Sequence, residues 1–119
     1  MIYIPREGLT VIYHFCPRAD WAAAQRSGRY AAESLAAQGF IHCSPRDQVH
    51  EPANLLARGR TDLVLLEIDE SRLAARPVWE DGDPPHPDGR QFPHVYGPIP
   101  VAAVRSVTDY LPGPDGLFH

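Results

Sequence analysis

The stretch from Asp62 to Asp69 (Asp-Leu-Val-Leu-Leu-Glu-Ile-Asp) constrains the fold more than any other. It is the most apolar run in the chain, yet far shorter than the roughly 18 residues a membrane span needs. A short apolar run of this kind reads as a central strand, buried on both faces over most of its length. The chain must therefore supply cover for two sides of one sheet. Glu67 lies inside the run, where a carboxylate needs a partner or an edge.

The remaining elements follow from local signals. Residues 1–8 read as a lead-in, and Leu9 to Phe15 is β-branched and aromatic enough to be a strand. Pro17 suits the first turn of a helix that carries Asp20 near its start, places Trp21, Ala24 and Gln25 along one face and ends at Gly28. Glu33 to Gln38 reads as one or two helical turns closed by Gly39, and Phe40 to Ser44 as a second strand. Pro45 to Ala57 reads as a further helix, with Ser44 as its N-cap and Asp47 close to capping-box spacing. Val78-Trp79-Glu80 is a short strand, and the Gly- and Pro-rich stretch Asp81 to Gln91 is a loop. Pro93 confines the Phe92 to Pro98 stretch to a sheet edge or a strand start. Val104 to Tyr110 is the last strand, and the tail 111–119 is expected to be loosely ordered. Strands and helices do not alternate strictly. The expected architecture is a single α+β domain with its core at about 9–110, a mixed or antiparallel sheet and two or three helices.

A length of 119 residues fits one domain, and the formal charge of −4 gives no attraction to a nucleic-acid backbone, so DNA is not an expected partner. All eleven basic residues are arginine, which excludes a lysine Schiff base and a lysine-containing phosphate loop. Cys16 and Cys43 are the only cysteines, and two free thiols in a cytoplasmic protein are the simplest expectation. No secretory signal or membrane-spanning run is legible.

Three histidines each sit in an apolar or aromatic run: His14 after Ile12-Tyr13, His42 after Phe40-Ile41, and His94 in Phe92-Pro93-His94-Val95-Tyr96. In a strand, alternate residues share a face, so His42 and Ser44 point one way with Phe40, while Ile41 and Cys43 point the other. His94 and Tyr96 share a face by the same rule. Each histidine alone is explained by core packing with its ring nitrogens bonded to backbone; three together point to a shared concavity with Ser44 and Tyr96 beside them. Three histidines and Glu80 match the ligand types of a small metal site, but no His-x-His or His-x-x-x-His spacing supports one, and no metal is expected. Ser44 lacks a nucleophile elbow, and Cys43 faces the apolar side. Trp21, Tyr30, Trp79 and Tyr96 serve either packing or ligand stacking, while His50, His86 and His119 are expected on the surface.

Ile12-Tyr13-His14, Trp21, Gly28, Tyr30, Gly39-Phe40-Ile41-His42-Cys43-Ser44, Leu63 to Asp69, Trp79-Glu80 and Phe92-Pro93-His94-Val95-Tyr96-Gly97-Pro98 together resemble domain-of-unknown-function family 952. That family is similar in fold to the ADP-ribosyltransferases, and the order of features is similar to the RNA 2′-phosphotransferase branch. The resemblance implies a split sheet with a cleft for NAD or a related nucleotide, and ADP-ribose transfer as the reaction. It implies that His14 bonds a ribose hydroxyl, that His42, Ser44 and His94 line the cleft, and that Tyr30 or Tyr96 stacks on the nicotinamide. His42 and Glu80 would then be the catalytic pair, Glu80 stabilising the charge that builds on the ribose. NAD would be the substrate, an RNA end or a protein the acceptor, and the protein a monomer or weak dimer. A non-catalytic small-ligand module is the alternative, and a histidine-ligated metalloprotein a more distant one.

Overall fold

The computed structural model describes residues 10–119. Along the chain run β1 (Val11–Pro17), α1 (Arg18–Ser27), β2 (Arg29–Tyr30), α2 (Glu33–Gln38), β3 (Ile41–His42), α3 (His50–Leu56), β4 (Leu63–Asp69), β5 (Val78–Asp81), β6 (Gln91–Val95), β7 (Ile99–Pro100) and β8 (Val104–Tyr110). Single 3-10 turns follow β4 and β7. The expected lead-in and Leu9 lie outside the described residues. Over the described residues the protein is a small α+β domain of antiparallel sheets and three helices. None of these helices is long and apolar enough to cross a membrane.

The apolar run does form a central strand. β4 pairs with β1 on one side and β8 on the other. Its side-chain alternation divides two cores. Val64, Leu66 and Ile68 join Ile12, Cys16, Trp21, Ile41, Cys43 and Val95 on one face, while Leu63 and Leu65 pack with Val49, Ala53, Tyr110 and Phe118 on the other. Glu67 falls on the second face and is satisfied without an edge, accepting from the Tyr13 hydroxyl at 3.0 Å and the Ser106 hydroxyl at 2.8 Å.

A second three-stranded sheet has the order β3-β6-β5, and β2 and β7 form a separate pair. The two larger sheets meet at one bridge. Tyr13 N–H donates to the Ser44 carbonyl and Ser44 N–H to the Tyr13 carbonyl, both at 2.8 Å.

Several local expectations need correction. Pro17 ends β1 and precedes α1 instead of entering its first turn, because its ψ of 142° is extended. Within α1, Trp21 and Ala24 are buried but Gln25 is exposed. Gly28 ends the helix at φ 89°, the left-handed conformation that glycine alone adopts without strain.

The helix expected from Pro45 starts instead at His50. Residues 46–49 form a tight turn, with Gln48 and Val49 N–H both donating to the Pro45 carbonyl. Pro52 cannot donate to the carbonyl of residue 48 and its ring crowds that group, so one continuous helix is barred. Ser44 makes no capping bond, since its backbone belongs to the bridge with Tyr13.

Pro93 lies in the middle strand of its sheet, not at an edge. In an antiparallel ladder the N–H and C=O of one residue face the same neighbour. The Pro93 carbonyl accepts from Cys43 N–H at 3.0 Å, so its missing N–H also faces that side, and the β3 ladder stops after two pairs. The β5 side keeps four pairs.

The tail is docked. Phe118 is 1% exposed, and Asn54 clamps its backbone, accepting from its N–H at 2.7 Å and donating to its carbonyl at 3.0 Å. Deleting a buried aromatic side chain costs about 3–5 kcal/mol. Phe118→Ala is therefore expected to lower the urea-unfolding free energy by about 3 kcal/mol or more. A loss under about 1 kcal/mol would show that the tail contributes nothing to the core.

Candidate functional site

A groove of about 1060 Å³ opens beside the bridge between the two sheets. His14, Tyr30, His42, Ser44 and His94 all line it. Glu80 and Tyr96 do not, but they reach it through His94.

The His42–His94 pair is a product of strand register. The two residues are direct partners on β3 and β6. The Cys43–Pro93 bond makes the neighbouring position the hydrogen-bonded one, so His42 and His94 occupy a non-hydrogen-bonded pair, where side chains come closest. Their ring centroids are 5.2 Å apart. Phe40 stacks on His94 at 4.1 Å with an interplanar angle of 19°.

Bond partners fix the proton positions. His94 is 1% exposed, and its Nδ1 lies 2.9 Å from Glu80 Oε1. A carboxylate can only accept here, so Nδ1 carries a proton, and in the neutral ring Nε2 presents its lone pair. Among the described residues Nε2 has no hydrogen-bond partner. Tyr96 also donates to Glu80 Oε1 through a short hydrogen bond. These bonds, from Tyr96 first and His94 second, hold the Glu80 carboxyl below its ordinary range.

His42 follows the same logic. Its Nε2 lies 2.7 Å from Gln38 Oε1, and Gln38 Nε2 donates to Asp83 Oδ2 at 3.3 Å. An amide oxygen only accepts, so His42 carries its proton on Nε2 and leaves Nδ1 as an acceptor. Burial first, and the neighbouring His94 second, lower the pKa of His42.

His14 is placed differently from the expectation. It shares the core-facing side of β1 with Ile12 and Cys16. Its Nδ1 donates to the His42 carbonyl at 2.5 Å, and its Nε2 accepts from the Tyr30 hydroxyl at 2.8 Å. Both nitrogens are thus taken, and neither is free for a ribose hydroxyl in this conformation. Burial lowers the pKa of His14 from 6.5 to about 4. Tyr30 is 4% exposed and packs its ring against His14, so it offers no open stacking face. Burial also raises the Tyr30 hydroxyl pKa. Ser44 is 5% exposed, and its hydroxyl makes no hydrogen bond to either histidine.

Cys16 and Cys43 are free and buried, and burial pushes the Cys16 thiol up to about 11 and the Cys43 thiol higher still. Among the described residues no three or more His, Cys, Asp or Glu side chains are grouped to hold a metal ion.

The rest of the lining includes residues that sequence reasoning missed. Gln38 and Asp83 orient His42, although nothing in their local patterns announces it. His86, expected on the surface, lines the groove between Glu51 at 3.1 Å and Asp88 at 2.7 Å. Asp20, Glu33, Glu51 and Asp83 face one basic residue, Arg60, which is already paired with Asp62 at 2.6 Å.

Comparison with known proteins fits this picture. The family described as "Protein of unknown function (DUF952)" matches residues 15–107, and the chain belongs to it. The crystal structure of protein CC0527 from Caulobacter crescentus is similar, with a TM-score of 0.81 and 35% identity over 92% of this chain and 94% of that one. A double mutant of CC0527 gives a TM-score of 0.80 at 34% identity over the same shares. Its solution NMR structure gives 0.71 at 34% identity over 90% of each chain. No curated protein matches.

The state of His14 sets a pH dependence. Its folded pKa of about 4 lies below the ordinary 6.5. Between those values the unfolded chain holds a proton here that the folded one lacks, so stability is complete above pH 6.5 and falls as pH drops to about 4. At about 1.4 kcal/mol per pKa unit, urea unfolding of the wild type is expected to lose about 2–3 kcal/mol across that window. His14→Gln should flatten this slope. Equal slopes in both proteins would mean that His14 titrates as it does in the unfolded chain.

Proposed function

We propose that the groove is a small-molecule site in which His94, oriented by Glu80, moves a proton to or from the bound ligand. One observation carries this: a buried imidazole whose Nδ1 is held by a carboxylate at 2.9 Å and whose Nε2 is unbonded among the described residues at the groove lining. A carboxylate partner fixes the tautomer of a base and stabilises the imidazolium that forms when it takes a proton. In the forward direction a ligand proton passes to Nε2, and the resulting cation rests against the Glu80 charge. His42 faces the same space with Nδ1 as an acceptor, and Ser44 supplies a hydroxyl. A binding module without turnover would use the same groups as hydrogen-bonding partners alone.

A second reading is binding of NAD, with ADP-ribose transfer to an RNA end or a protein. Two three-stranded sheets joined at one bridge, with a histidine on the first strand at the junction, favour it. It requires His14 to exchange its bond with Tyr30 for one with a ribose hydroxyl. It also requires the diphosphate to find cations outside the lining. In this reading Glu80 stabilises the ribose cation through the space that His94 now occupies.

The test is a thermal-shift screen of metabolites and nucleotides, NAD included, with nitrogen-15 NMR of the histidine rings. Wild-type His94 is expected to hold its proton on Nδ1, and Glu80→Gln to give a mixture of tautomers. Hits should lose at least about tenfold in affinity in His94→Ala, about 1.4 kcal/mol. Hits that bind His94→Ala unchanged would remove the groove as the site. Release of nicotinamide from NAD by the wild type but not by Glu80→Gln would replace the first reading with the second.

A further inference from the structure

The groups that face the groove are nearly all acceptors. His42 offers Nδ1 and His94 offers Nε2, because Gln38 and Glu80 hold the opposite nitrogens as donors. Asp20, Glu33 and Asp83 add carboxylates, whereas Glu51 is spent on Arg90 at 2.7 Å and on His86. Among the described residues the one arginine at the lining, Arg60, is spent on Asp62. Ser44 is 5% exposed and lines the groove, and its hydroxyl makes no hydrogen bond among the described residues. A ligand for this surface must bring donors and, by charge, should be positive.

The wall from α3 has another character. Leu55 and Leu56 line the groove yet are 81% and 75% exposed. Pro52, Pro84 and Pro85 extend this apolar lining. Polar groups fix orientation in small-molecule sites, and apolar walls supply most of the buried area.

We propose that the ligand of this groove is an organic cation, an amine, amidine or guanidine carried on an apolar body. Its N–H groups meet the His42 and His94 acceptors, and its body covers Leu55 and Leu56. The inference rests on the groove being a ligand site, and it names the class of ligand. The exposed carboxylates act at longer range and steer a cation inward, so binding weakens as salt shortens the screening length to about 8 Å at physiological ionic strength.

The experiment uses one ring with four head groups: benzylamine, benzamidine, benzyl alcohol and benzoate, titrated by NMR into the full chain. The two cations are expected to shift the His42, His94, Leu55 and Leu56 signals, at least about tenfold more tightly than the alcohol or the acid, a gap of about 1.4 kcal/mol. The preference should shrink several-fold in the Asp20→Asn/Glu33→Gln variant, whose changes lie on exposed side chains, and again in high salt. Benzyl alcohol or benzoate binding as tightly at the same signals overturns the cation and leaves the groove as a ligand site. No shift at His42 and His94 by any of the four also overturns it. NAD and ADP then serve as the last arm: if either shifts those signals, only the ligand class has failed, and if neither does, the site itself has failed too.

Discussion

The reciprocal bonds between Tyr13 and Ser44 set the geometry of everything around the groove. Tyr13 and Ser44 exchange both backbone bonds, so the backbone groups of Ser44 face β1, and by alternation those of His42 do as well. Cys43 faces β6 instead, where it meets Pro93. The His42 carbonyl is thus aimed at the split, and the imidazole of His14 bonds to it. A side chain stands where a ladder bond would otherwise be. Because that bond needs a donor, His14 keeps its proton on Nδ1, and Tyr30 must supply the other contact. The tautomer of His14 and the placement of Tyr30 both descend from one pair of backbone bonds.

The two-core arrangement depends on β4 in the same way. Its alternation assigns Val64, Leu66 and Ile68 to the core beneath the histidines and Leu63 and Leu65 to the core that holds the tail. A shift of register by one residue would exchange these faces and bring Glu67 into the first core. At its actual position the carboxylate finds two hydroxyls from the flanking strands, which also hold it below its ordinary pKa range. The polar residue in the most apolar run therefore helps to specify which face is which.

Much of this was legible because it depends on periods and on residues with one use. The central strand, the glycine ends of α1 and α2, and the shared face of His42 and Ser44 all follow from local spacing. The meeting of His42 with His94 was an inference from repeated character, and register completes it. The illegible parts depend on partners far along the chain. Nothing near Phe118 announces Asn54, and nothing near Gln38 announces its bond to His42. Ser44 followed by proline matches a helix cap by every local rule, yet its backbone is claimed by Tyr13. His14 was legible as a strand histidine at a junction, but the saturation of its two nitrogens needs Tyr30 and His42 in place.

Pro93 shows how a locally unfavourable residue is accommodated beside the groove. A proline within a middle strand forfeits a ladder bond. Here the forfeited bond faces Cys43, so β3 is held to β6 by two residue pairs and the single bond from Cys43 N–H, while Ser44, facing the other way by alternation, bridges to β1. The register that opposes Cys43 to Pro93 makes theirs the hydrogen-bonded position and thereby brings the His42 and His94 rings together. Restoring the N–H by substitution would supply a partner for the Cys43 carbonyl and extend β3 along β6. The bridge between the sheets and the closeness of the two imidazoles thus both follow from the alternation of this segment, whose successive residues face β6 and β1 in turn.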